Sequence, residues 1–392
     1  MNKYFDTVVN RRGTGALKWD IGGEELPMWV ADMDFRTAPG IIEALTKRAG
    51  YGVFGYNIVP DEWYDAYISW WQRRHGFTME RDWLIFCTGV VPAISSIVRK
   101  LTTPAEKVVV QTPVYNIFFN SILNNGRVPL ECPLRCREGK YDIDFDALEE
   151  ALSDPQTTLM LLCNPHNPVG RVWERETLAE IGRLCGKHHV TVVSDEIHCD
   201  LTYPGIDYVP FASASETCRR ISVTCIAPTK TFSIAGIQTA AVVIPDPFLR
   251  HKVNRGLNTD ECAEPNSFAV TAAVAAYNTG EEWLDSLREY LAANKSLVRA
   301  FVENELPGIR LVEAEATYLL WLDCSCLGSK APHTAEFIRR DTGLFLSGGS
   351  QYGKGGENFI RMNIACPQEL LVDGLNRLRD GIRDYMKCNT GN

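Results

Sequence analysis

Leu159-Met160-Leu161-Leu162 leads, one residue on, into Asn164-Pro165-His166-Asn167-Pro168-Val169-Gly170. An apolar run of strand length, then two Asn-Pro steps and a glycine, reads as a β-strand that ends in a forced turn. Working outward, the pattern repeats. Val108-Val109-Val110 ends in a Gln-Thr-Pro turn, Val190-Thr191-Val192-Val193 ends at Ser194-Asp195, and Ile221-Ser222-Val223-Thr224 ends near Pro228. Amphipathic stretches lie between these runs, such as Arg175 to His188 with Leu178, Ile181 and Leu184 on one face. Strand-helix alternation of this kind predicts an α/β fold with a mostly parallel sheet flanked by helices.

The rest of the chain bounds this reading. Its 392 residues, 45% hydrophobic and 23% charged, suit a large globular core and more than one domain. The spacing predicts a long helix from Glu281 to Asn304 leading into a portion with short strands of its own. The expected division is an N-terminal segment 1–46 that packs with the small domain and the site, a large domain 47–282, and a smaller α/β C-terminal domain 283–392. A net charge of −9 argues against a nucleic-acid surface. The opening Met1-Asn2-Lys3-Tyr4-Phe5-Asp6 lacks the apolar core of a signal peptide, and no run of eighteen apolar residues occurs, so no membrane association is expected. The 13 cysteines lack zinc-type pairing and read as mostly buried thiols in a reducing cytoplasm, with no metal expected.

In open parallel sheets, ligands sit beyond the carboxyl ends of the strands. Asn167, Asp195 and Lys230 each follow an apolar run. Separately they mean little: a lysine after a strand is ordinarily a surface residue, and an Asp-Glu pair is ordinarily solvated or a helix cap. Together they supply an amine, an acid and an amide at sheet ends. That is the set a pyridoxal-phosphate (PLP) site needs for imine formation, for a protonated ring nitrogen and for a donor to the ring's phenolic oxygen.

The ordered set Asn-Pro-His-Asn-Pro-Val-Gly (164–170), Asp-Glu-Ile (195–197) and Lys-Thr-Phe-Ser-Ile-Ala-Gly (230–236) resembles the fold-type I PLP enzymes of the aminotransferase class I/II superfamily. The resemblance covers essentially the whole chain. Trp29-Val30-Ala31-Asp32-Met33-Asp34-Phe35, Thr88-Gly89-Val90-Val91-Pro92-Ala93, His198 and Gln238 are similar to the cystathionine β-lyase (cysteine-S-conjugate β-lyase) branch.

That resemblance implies roles. Lys230 would bind PLP as an imine and act as the catalytic base. Asp195 would pair with the ring nitrogen, Asn167 would hydrogen-bond the phenolic oxygen, and Tyr115 would stack on the ring. The Val90 and Val91 N–H groups would hold the phosphate at a helix start, with Thr229 adding a hydroxyl and His198 a further cofactor contact. Tyr56 would reach the cofactor of a neighbouring subunit, implying a homodimer with shared sites. Arg361 would clamp the substrate carboxylate, beside Tyr115, Asn167 and Ala31. Two positions depart from relatives: Ala227 and Gln238 stand where phosphate-binding serine and arginine are common. The implied activity is cleavage of cystathionine or a related cysteine thioether to a thiol, pyruvate and ammonia. A class I/II aminotransferase and a PLP-fold regulatory or partner-binding protein are the alternatives.

Overall fold

Alternate residues of the expected strands are buried on opposite sides, so both faces of the sheet must be covered. The computed structural model describes residues 4–328 and 331–389. It contains a seven-stranded sheet in the order Leu84–Cys87, Ala240–Val243, Ser222–Ile226, Thr191–Asp195, Thr157–Cys163, Lys107–Val110, Val128–Glu131. The last five of these pair in parallel, and only Ala240–Val243 runs against its neighbours. Val108, Val110, Leu159, Leu161 and Cys163 enter one core, with Val90, Ile94 and Ile97 of the helix Val90–Leu101. Val109, Met160, Leu162 and Val192 enter the other, with Leu178, Ile181 and Leu184 of the helix Arg175–Lys187. This period-two partition between two buried faces is the physical content of the mostly parallel α/β expectation, and the fold is of that class.

The strand ends differ slightly from the sequence reading. Ile221 closes the helix Glu216–Ile221, whose start Ser215 caps by accepting the Cys218 N–H, and the strand opens only at Ser222.

A second, antiparallel sheet orders Arg310–Leu311, Leu319–Asp323, Phe359–Asn363, Ser347–Gly348. The helix Glu281–Glu305 leads into it, and Ala331–Thr342 packs against Gln368–Asn389 beside it. The N-terminal segment reaches across: Leu26–Pro27 pairs in parallel with Leu344–Phe345. Position 46 lies inside the helix Pro39–Tyr51, which packs on Ala269–Thr279 of the larger part. No helix among the described residues is long and apolar enough to cross a membrane.

Candidate active site

Three strand ends converge on one cavity of about 240 Å³. Asp195 is the last residue of its strand, and its carbonyl accepts the Asn164 N–H at 2.9 Å, so the Asn-Pro turn and the acid are tied edge to edge. The turn is then fixed from beneath. The Cys163 thiol donates to Pro165 O at 3.3 Å, and its sulfur accepts the Asn167 N–H at 3.4 Å. His166 is fully buried, and its Nε2 lies 2.9 Å from Pro113 O, bracing the Asn167 turn against the loop that carries Tyr115. Burial pushes the His166 imidazole down to about 4, so it stays neutral and Nε2 is the donor.

Lys230 follows its strand on the short helix Pro228–Thr231 and points into the cavity. Its Nζ donates to Ala31 O at 2.6 Å, a carbonyl that also accepts the Tyr318 hydroxyl at 3.2 Å. Burial is the largest influence on the amine and lowers its pKa, assisted by Arg361, while Asp32 and Asp195 oppose the shift. Asp195 is pushed up to about 7 by burial, against the opposing effects of the Ile197 N–H at 3.2 Å and the Lys230 charge. His198, also on the lining, is driven down to about 3 by burial and by the charges of Lys230 and Arg361; its Nδ1 is buried without a hydrogen-bond partner. Burial pushes the Tyr115 phenol up to about 12, so it stands neutral at the cavity wall.

Opposite these groups the helix Val90–Leu101 begins, after an extended Gly89 that offers no side-chain cap. The Val90 and Val91 N–H groups precede the first intrahelical bond, from Ala93 N–H to Gly89 O at 3.1 Å, and both residues line the cavity. Two unused N–H donors at a helix start favour an anion. Ala235 and Gln238, both uncharged, also line the cavity.

The cavity therefore gathers Ala31, Val90, Val91, Tyr115, Asn167, Asp195, His198 and Lys230. Arg361 stands just beside it, buried on the strand Phe359–Asn363, with Nη1 on Asn167 Oδ1 at 3.2 Å and Nη2 on Trp29 O at 2.8 Å. Its Nε has no partner, and its guanidinium lies over the Tyr352 ring at 4.9 Å. Thr229 is buried next to Lys230 but is not on the lining. Tyr56 is fully exposed and takes no part in its own chain's cavity.

Sequence reasoning missed several groups. Cys163, Tyr318 and Asn363 have no motif of their own, and Ile197 belongs to Asp-Glu-Ile, a motif that gives its N–H no role. Asn363 donates to Val30 O at 2.7 Å and Asp32 O at 2.8 Å, holding the Trp29–Asp34 segment over the cavity. Its one sequence signal is its place two residues after Arg361, on the same strand face.

The residues fit PLP on their own geometry. A buried amine without a carboxylate partner, a buried acid with a single N–H partner, an unpartnered imidazole nitrogen and open helix N–H groups all face one cavity.

The profile of the aminotransferase class I and II family matches residues 30–378. Cystathionine beta-lyase PatB of Bacillus subtilis (strain 168) is 45% identical over 381 residues, covering 96% of this chain and 98% of that protein. Cystalysin from Treponema denticola, whose crystal structure contains a pyridoxal 5'-phosphate cofactor, is similar with a TM-score of 0.94 at 34% identity, over 98% of this chain and 100% of that one. A PLP-bound C-S lyase from Staphylococcus hominis, complexed with the inhibitor L-cycloserine, gives a TM-score of 0.91 at 32% identity, over 97% and 99% of the two chains.

Proposed function

The chain belongs to the aminotransferase class I and II family, and from that membership we propose that it is a PLP-dependent carbon–sulfur β-lyase acting on cystathionine or a related cysteine thioether. The observation that carries the reading is its near full-length likeness to a cystathionine β-lyase, well above what a shared fold alone would require. When bound, PLP supplies an electron sink for the electrons released at the substrate's α-carbon.

The chain's own residues divide the remaining work. Arg361 takes the substrate carboxylate: Nε is unpartnered, and its two other nitrogens hold the guanidinium plane through Asn167 and Trp29 O. Asp195 offers a carboxylate to the ring nitrogen. A cation there restores ionisation to an acid that burial otherwise keeps partly protonated. Asn167, clamped by Cys163, offers its amide to the phenolic oxygen. The Val90 and Val91 N–H groups would hold the phosphate, with Thr229 nearby, and Tyr115 would face the ring. His198, neutral by burial, adds a dipole and not a charge. Lys230, its pKa lowered by burial, would hold PLP and would take the α-proton of the bound substrate. The β-substituent would then leave as a thiolate, and water would release the remainder as pyruvate and ammonia.

Tyr56 is proposed to serve the partner's site in a homodimer. In support, Tyr56 is wholly exposed, and Val53, Phe54 and Ile58 around it are exposed apolar side chains. Free thiols throughout the described residues are in keeping with a reducing cytoplasm.

The test is to give the holoenzyme L-cystathionine or an S-alkyl cysteine and to measure pyruvate and thiol. Stoichiometric release of both is expected, and Lys230→Ala is expected to abolish both the release and the visible absorbance of bound PLP. Exchange of α-keto acids without pyruvate would reject the lyase in favour of an aminotransferase.

A further inference from the structure

A second polar cluster lies off the cavity's lining. His75, Cys199 and Asp200 bring possible ligand atoms within 4.8 Å of one another, a spacing that a metal ion could bridge. The carboxylate is already occupied, however. Asp200 Oδ1 accepts the Trp70 indole N–H at 3.0 Å and faces His75 Nε2 at 2.9 Å, while Oδ2 accepts the Thr231 hydroxyl at 3.0 Å. Burial raises the Cys199 pKa, so its sulfur is a poor thiolate ligand. Burial also pushes the Asp200 carboxyl up, but the donors from His75, Trp70 and Thr231 outweigh it and leave the group below its ordinary value. Asp200 is thus a buried anion satisfied by hydrogen bonds from three directions.

What those bonds join is informative. Trp70 and His75 belong to the helix Asp61–His75. Thr231 is the residue after Lys230, on the four-residue helix Pro228–Thr231. Asp200 is five residues beyond Asp195 in the same segment. Phe232, next along from Thr231, sits edge-on to Trp70 at 5.9 Å, so the bond and the aromatic contact grip the lysine's helix at adjacent residues. Neither Asp200 nor Thr231 lines the cavity.

We propose that Asp200 is a positioning residue, setting the place of Lys230 relative to Asp195 through the Thr231 hydroxyl. This rests on the reading of Lys230 as the PLP-binding lysine. So short a helix has little rigidity of its own, and Lys230 carries a long side chain whose tip must meet both cofactor and α-carbon. A carboxylate with three donors is a stiff anchor. It places the amine and the acid on one frame, though they come from different strands.

Thr231→Val removes the hydroxyl at nearly constant shape, Thr231→Ser restores it, and Asp200→Asn removes the charge. The three are compared as holoenzymes by the PLP dissociation constant, circular dichroism in the visible band, kcat, KM and melting temperature. For Thr231→Val and Asp200→Asn a retained band with changed dichroic intensity is expected. A fall in kcat of roughly tenfold at a KM within about twofold should accompany it, with recovery in Thr231→Ser. If Asp200→Asn does not fold, Thr231→Val decides. Wild-type dichroism and kcat in Thr231→Val would overturn the proposal, as would losses no larger than those of Thr231→Ser. A wild-type protein that shows the visible band but releases no pyruvate would sink the lyase reading while leaving the dichroism and dissociation measurements to judge Asp200. A wild type without any visible band would sink both.

Discussion

Asp195 and Glu196 are consecutive acids at one strand end, and burial pushes both up to about 7. Their surroundings differ. Glu196 accepts from the hydroxyls of Ser194 and Tyr208, from the Phe211 N–H and from the Asn164 amide, so it is a structural knot. Asp195 has the Ile197 N–H and otherwise faces the cavity, so it is an acid that Lys230 influences without being ion-paired to it. The sequence Asp-Glu does not say which of the two looks inward; the alternation of the strand does. In the cofactor-free chain the folded state keeps a proton on Asp195 that the unfolded chain loses near pH 3.9, so stability falls as pH rises from about 4 to 7. Asp195→Asn should remove on the order of 4 kcal/mol from that decline. Denaturant midpoints of the two cofactor-free proteins across this range check it. Parallel curves would refute the assignment of the buried proton to Asp195.

Elements contribute by where they stop. The strand Thr157–Cys163 gives way to a turn whose last glycine, Gly170, has φ +72. Gly170 O accepts N–H groups from Glu315 and Ala316, and a Cβ at Gly170 would lie 2.5 Å from Ala314 Cβ. The turn that carries Asn167 is therefore wedged against the segment entering the second sheet, which also brings Arg361. Gly170→Ala combines positive φ with a clash against this backbone. It should cost about 1–3 kcal/mol and lower affinity for PLP through Asn167. Urea midpoints and PLP titration measure the two effects, and unchanged values in both would show that the turn is not so constrained. The glycine was legible as turn punctuation. Its partner, Ala314, lies 144 positions further along the chain, and nothing local to the turn marks it.

At the scale of the molecule, the run around Tyr56 is an exposed apolar surface, with Tyr56 wholly exposed and Phe54 and Val53 more than half exposed. If a second copy covers it, Phe54→Glu should yield a monomer by sedimentation that retains PLP poorly, while the melting of the monomer core changes little. A wild-type monomer would refute the shared site. The sequence by itself determined the α/β class, because alternating apolar runs demand two covered faces. It also marked Asn167, Asp195 and Lys230, because turn residues and polar groups at strand ends are local features. Only the tertiary structure decided which groups share the cavity. Arg361 reaches Asn167 across 194 positions, Lys230 reaches Ala31 across 199, and Asp200 holds Thr231 across 31. Such pairings depend on how sheets stack and where loops cross, and no local propensity encodes them.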